Sequence, residues 1–195
     1  MSKLVCGKGF NDKTRPVFVD GKLVKEYVLW HNMLKRCFSE KLQTLRPTYK
    51  GCNVSDNFLH YSYFYDWCQK QVGFKSVDEN GSSWCLDKDL LFVGNKTYSE
   101  TACVFVPQEI NLFFTDRGNN RGEYPIGVSF HKQCGKFVAC CRVNGKLQHL
   151  GCFNTPEEAF SVYKPFKENL CKQLALKWQP EIDSRLFESM MNWSI

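Results

Sequence analysis

The tetrapeptide Val143-Asn144-Gly145-Lys146 separates two short runs of alternating side chains, and it constrains the fold more than any other stretch of the chain. Asn-Gly is the preferred centre of a two-residue type I′ hairpin, because both central residues need positive φ. Such a turn fixes the register of the strands it joins. With Val143 opposite Lys146, the expected pairs are Arg142 with Leu147, Cys141 with Gln148, Cys140 with His149, Ala139 with Leu150, and Phe137 with Cys152. Directly paired residues share a face. One face is then Phe137, Ala139, Cys141, Leu150 and Cys152. The opposite face carries Lys136, Cys140, Arg142 and His149. A preceding strand, "GVSFHK", adds Ser129 and His131 to it if Val128 and Phe130 point inward. The apolar face needs a cover, and the cationic face is left open.

A cover follows directly. Thr155, Pro156 and Glu158 have the form of a capping box with proline at the first helical position. Ala159, Phe160, Tyr163, Phe166, Leu170 and Leu174 then recur at spacings of three and four, the stripe of a helix laid on a small sheet. Pro165 interrupts the pattern, which predicts a kink or two consecutive helices.

The ordered set "GV", "GKF", the arginine ending the second strand, "NGK", "LGCF" and "TPEEA" resembles the plant ethylene-response-factor (APETALA-type) DNA-binding domain. That domain also occurs behind the nuclease domain of phage homing endonucleases. The resemblance spans about forty residues. It implies that the sheet lies in the major groove of double-stranded DNA, with Ser129, His131, Cys140, Arg142 and His149 at the contacting positions and Lys132 and Lys136 beside them. Ser129, Cys140 and His149 replace larger or more polar readers, so the resemblance does not carry base specificity.

The first two thirds of the chain read differently. Residues 1–25 form a basic arm with one hairpin at "VDGK". From Glu26 to Ser39, Tyr27, Trp30, Leu34 and Cys37 make one apolar helical face, with Lys35 and Arg36 directed elsewhere. His31 reads as a surface or helix-packing histidine. A second helix is expected from about Asn57 to Gln71, with Phe58, Tyr61, Phe64, Tyr65 and Cys68 as an aromatic core stripe and His60 structural. Then come a strand at Trp84–Asp89, a turn at "VGNK", a strand at "ETACVFV" and a helix opened by Pro107.

This hairpin-plus-helix, with the upstream elements "WHNMLKRC", "YKGCNV" and "FYDW", resembles the ββα-metal (HNH) nuclease finger of phage homing endonucleases over about residues 26–114. Such a finger needs a base for the attacking water, a divalent metal for the leaving oxygen, and a scaffold that holds both at the phosphate. The resemblance places Asp87 and Asn111 as metal ligands, with Asp87, Lys88 and Asp89 as the catalytic group. Oxygen ligands suit magnesium or a similar divalent cation. Lys88 occupies the position of the general-base histidine, and Ala102 aligns with the asparagine that orients it. Flanking aspartates raise a lysine pKa, so Lys88 is expected to act as a cation toward phosphate rather than as a base.

Charge is segregated along the chain. The formal net charge is +6, but lysine and arginine outnumber acids only in residues 1–50 and 121–195, while acids dominate residues 51–120. Basic ends suit phosphate contacts, and central carboxylates suit a cation or a fold contact. The 11 cysteines, with no apolar leader and no Cys-x-x-Cys, predict reduced thiols in the cytoplasm (of a host cell, for a phage-encoded chain), and no structural zinc. No apolar run is long enough for a membrane.

The expected class is α+β: an arm (1–25), a helical, finger-like domain (26–114), a linker (115–125), a three-stranded antiparallel sheet packed on a helix (126–178) and a tail (179–195). Arg117 and Arg121 in the linker are candidates to lie along the DNA backbone or in a minor groove, the alternative being solubility alone. Leu186, Phe187, Met190, Met191 and Trp193 give the tail an apolar face that needs a packing partner. Two functions follow. One is a double-stranded DNA-binding protein with magnesium-dependent phosphodiester hydrolysis or nicking. The alternative is a catalytically degenerate DNA-binding regulator or phage anti-host factor that acts by occupying DNA or a host or phage protein partner.

Overall fold

Asn144 and Gly145 take φ of 48° and 77°, so the turn forms as its residues require. The computed structural model describes residues 4–115 and 123–195, and the protein is α+β. Strands β7 (Val128–His131), β8 (Lys136–Val143) and β9 (Lys146–Phe153) form an antiparallel sheet in the order β7-β8-β9. Helix α5 (Pro156–Trp178) covers one face of it.

The register follows the turn as far as Cys140 opposite His149 and then shifts. Ala139 pairs with Gly151, Val138 with Cys152, and Phe137 with Phe153. The expected pairs Ala139–Leu150 and Phe137–Cys152 are therefore corrected. Leu150 is the extra residue of a β-bulge, which period-two alternation does not foresee. Gly151 permits it with φ of 147°, and a Cβ there would stand 2.8 Å from the Phe153 ring. The consequence is an exchange: Cys152 turns outward and is exposed, while Phe153 joins the core side. Ala139, Cys141, Ala159 and Tyr163 form the buried centre, with Val128, Phe137, Leu150 and Phe166 packed around it. Phe130 has the predicted parity, opposite Phe137, but is 42% exposed at the end of the sheet.

The capping box of α5 is complete. Glu158 N–H donates to Thr155 Oγ1 at 3.1 Å, and Thr155 N–H donates to Glu158 Oε2 at 3.3 Å. The helix runs unbroken across Pro165, so of the two expected outcomes, a kink or a split, the split does not occur. Proline removes one backbone donor, and the carbonyl it leaves, that of Ser161, belongs to an exposed residue where water can serve it. The last residues return to α5: Ser194 Oγ and Ile195 N–H both bond Glu168 Oε1, and Trp193 packs edge-on to Phe114 with ring centroids 5.2 Å apart.

Upstream, β1 (Phe18–Val19) and β2 (Lys22–Leu23) form the small hairpin of the arm. Helix α1 (Lys25–Phe38) buries Trp30, Met33, Leu34 and Cys37; α2 (Glu40–Leu45) follows it. The expected helix at 57–71 is shorter. A tight helical turn at Asn57–Leu59 stops at His60, whose extended ψ of 118° separates it from α3 (Tyr61–Gln69). The aromatic stripe nevertheless forms the core, with Trp67 added. Phe58 lies 4.8 Å from Trp67 and 5.1 Å from Phe64 between ring centroids, and Trp30 Nε1 donates to the Phe58 carbonyl at 2.7 Å. His60 is exposed against Phe10, and His31 stacks on Tyr27.

Strand β3 (Asn53–Val54) pairs in parallel with β5 (Thr97–Tyr98), a long-range contact absent from the expectation. Strand β4 (Cys85–Asp87) pairs antiparallel with β6 (Val104–Val106), and α4 (Gln108–Phe114) follows. Both strands are shorter than their predicted runs, because Asp87 turns the chain by accepting the Asp89 and Leu90 N–H groups and Glu100–Ala102 forms a turn.

By their contacts the residues divide into two units: those up to Asn111 together with Glu181–Leu186, and those from Leu112 to Pro180 together with Phe187–Ile195. Residues 112–114 thus group with the sheet rather than with the finger-like segment, and the tail is shared between the units. Among the described residues no helix is long and apolar enough to cross a membrane. All 11 cysteines are free thiols.

Candidate active site and candidate nucleic-acid interface

Asp87 ends β4, opposite Val104. Its Oδ1 accepts the backbone N–H of Asp89 at 2.8 Å and of Leu90 at 3.0 Å, folding the chain into an Asx-type turn. The chain then reverses at Phe92–Asn95, where Asn95 N–H donates to the Phe92 carbonyl at 3.0 Å. Asn95 closes the loop. Its Nδ2 donates to the carbonyls of Lys88 at 2.6 Å and Thr97 at 2.8 Å, and its Oδ1 accepts the Thr97 N–H.

This loop opens on a cleft of about 750 Å³ in the first unit, lined by Asp87, Lys88, Asp89 and Asn111 among others. The four residues that the sequence placed in the site therefore line one cleft. Helix α4 supplies Asn111, and α1 brings Lys25 and Arg36 to the same cleft; Lys96 and Tyr98 come from the segment after the loop. Arg36 Nη1 donates to Tyr98 Oη at 3.3 Å and its guanidinium lies 5.4 Å from the Tyr49 ring centroid. Lys25 donates to the Phe74 carbonyl and sits over the Phe74 ring.

Lys88 is only 7% exposed. Its ammonium donates to Asp89 Oδ2 at 3.0 Å and to the Asn95 carbonyl at 3.3 Å, and lies over the Tyr98 ring. An ammonium held this way is a structural cation that places Asp89, and of the two flanking aspartates only Asp89 makes the ion pair. Burial pushes the Asp87 carboxyl up to about 6, and the neighbouring Asp89 carboxylate adds to the rise. Burial also acts on Asp89, but the hydrogen bonds from Asp87 and Lys88 outweigh it and the net shift is downward. The pair is a shared-proton arrangement, the usual outcome when two carboxyls crowd one site.

The donor set suits a hard divalent cation: two carboxylates and one amide, all oxygen. Among the described residues no three His, Cys, Asp or Glu side chains gather to hold a metal, so such an ion would depend on Asn111 and water to complete its shell. No histidine lines the cleft. Ala102, aligned by resemblance with the asparagine that orients the base, is buried and apolar in its side chain. Asn95 is the asparagine that grips the backbone of Lys88. Sequence reasoning took "VGNK" only as a turn and missed it, although an asparagine seven residues after Lys88 was the available signal.

On the sheet, the register places Ser129, His131, Lys136, Cys140, Arg142 and His149 on the face opposite α5, and all but the half-buried Cys140 are exposed. Lys132 is exposed in the turn after β7. Arg142 Nη1 donates to the Gly145 carbonyl at 3.4 Å, which holds the guanidinium beside the hairpin turn. His149 Nε2 lies 3.5 Å from Cys152 Sγ, and His131 Nδ1 lies 3.3 Å from Cys134 Sγ. Burial, with Cys152 nearby, raises the Cys140 thiol. Arg117 and Arg121 lie outside the described residues. The chain matches no protein family, no curated protein and no solved structure.

Proposed function

We propose that the protein binds double-stranded DNA and hydrolyses its phosphodiester backbone with a divalent cation, magnesium or similar, as a nicking nuclease. One observation carries this: Asp87, Asp89 and Asn111, from a strand end, a loop and a helix, line one cleft whose walls also carry Lys25, Arg36 and Lys96. Carboxylates for a cation and cations for a phosphate together are the requirement for phosphoryl chemistry. Asn111 and Asp87, once Asp87 has lost its proton, would hold the ion, with the Asp89 carboxylate beside them. A bound divalent cation supplies charge neutralisation at the leaving oxygen and a water of lowered pKa. Lys88 fixes the Asp89 carboxylate, Asn95 fixes Lys88, and Arg36 and Lys96 would hold the phosphate. The exposed cations of the sheet supply sequence-independent affinity for the duplex.

A second reading is a DNA-binding protein without cleavage, a regulator or anti-host factor that occupies DNA or a protein partner. It is favoured by one observation: the residue at the general-base position, Lys88, spends its ammonium on Asp89 and Asn95. Incubation with supercoiled plasmid, in magnesium or in chelator, separates the two. Open-circle product in magnesium alone supports hydrolysis, a gel shift without product supports binding only, and neither signal overturns both.

A further inference from the structure

The turn that Asn95 closes also carries the most exposed large apolar side chain among the described residues. Val93 is 88% exposed and Phe92 beside it 56%. Turn tips ordinarily hold glycine, asparagine, aspartate or serine, and a bare Phe-Val pair is the opposite choice for solubility. The tip is also held firmly. Asn95 bonds the Phe92 carbonyl through its own N–H and bonds Lys88 and Thr97 through its side chain, while Leu90 and Leu91 beneath are half-buried. The two side chains therefore project from an ordered base, and their insertion into a partner costs little further ordering.

What they project beside decides the partner. Asp89 and Lys96 flank the turn in sequence and both line the cleft, and Lys96, itself exposed, is tethered to the Thr48 carbonyl at 3.1 Å. An apolar tip beside the exposed Lys96, with Asp89 on its other flank neutralised by Lys88, complements a partner that is anionic outside and apolar within. Duplex DNA has that character: phosphates meet lysine, and an apolar wedge enters between bases from the minor groove and unstacks them.

We propose that Phe92 and Val93 form a wedge that enters the minor groove of bound duplex DNA and partly unstacks one base step, beside the phosphate presented to Asp87. The proposal rests on the DNA-binding reading above, and its test separates the two. The full-length protein, in chelator so that no strand is cut, is added to saturation to short mixed-sequence duplexes with 2-aminopurine at TpA steps, which unstack most easily. Binding is read by anisotropy and unstacking by the rise in 2-aminopurine fluorescence. The wild type is expected to bind and to raise the fluorescence. The double variant Phe92→Ser/Val93→Ser is expected to bind and lose the rise, and Phe92→Leu, which keeps an apolar tip, to retain it. Wild-type binding without a rise at any TpA step, or a rise that survives the double substitution, overturns the wedge. Absence of wild-type binding overturns the DNA reading itself and leaves the tip to an apolar pocket on a protein.

Discussion

Asn95 Nδ2 donates to the Lys88 carbonyl at 2.6 Å, so one loop residue fixes the backbone between Asp87 and Asp89. The same amide also bonds Thr97 and thereby ties the loop to β5. Asn95→Ala removes these bonds from the buried Lys88 and the half-buried Thr97 and is expected to cost about 1–3 kcal/mol of stability. Thermal unfolding checks the stability. Loss of nicking with retained DNA shift checks that the loop, not the sheet, is what the change disturbs.

Asp87 links stability to pH in the less common direction for an acid. Its carboxyl is raised from 3.8 to about 6, so between these values the native state keeps a proton that the unfolded chain has released. Stability is therefore lost as pH rises through that window and stays lower above it. Asp87→Asn is expected to stabilise the metal-free protein at neutral pH by about 2 kcal/mol, after allowance for water at a half-buried site, and to have little effect near pH 3.8. Melting curves in chelator at both pH values check this. Magnesium should raise the wild-type melting temperature and leave the variant's unchanged.

The sheet is tested separately. Arg142→Ala with Lys136→Ala removes two exposed cations from one face. Weaker binding is expected, with the slope of log K against log salt reduced by about 2 as two fewer counterions are released. An unchanged slope would sink the assignment of this face to DNA.

Thr155→Ala deletes the acceptor for Glu158 N–H in the capping box of α5. A loss of about 1 kcal/mol is expected, measured by denaturant unfolding, with the salt dependence of DNA binding unaltered.

What the sequence disclosed follows from how local each signal is. Asn144–Gly145, the capping box at Thr155 and the helical stripe from Trp30 to Cys37 act over a few residues, and each formed as read. The bulge at Leu150 and the unbroken passage of α5 through Pro165 depend on neighbours in space, on Phe153 and Gly151 in one case and on exposure in the other. The strand Thr97–Tyr98 was not read at all, because β5 is selected by a distant partner, Asn53–Val54. In the site, Asp87, Lys88, Asp89 and Asn111 were named from motif order and do line one cleft. Arg36 and Tyr98 were not, since only the tertiary fold brings a helix face and a parallel strand to that cleft. Asn95 was read only as part of the turn "VGNK", since its bonds to the Lys88 and Thr97 carbonyls exist only once the loop has closed.

The most direct test of the central claim is the rate of plasmid nicking in magnesium as a function of pH, for the wild type and Asp87→Ala, with DNA shift measured in parallel. The account predicts magnesium-dependent nicking that falls as pH is lowered and protons compete with the ion for Asp87, whose carboxyl is raised above its ordinary value by burial, and an Asp87→Ala protein that still shifts DNA but does not nick it. Nicking by Asp87→Ala at the wild-type rate, or a wild type that shifts DNA and never cuts, would contradict it.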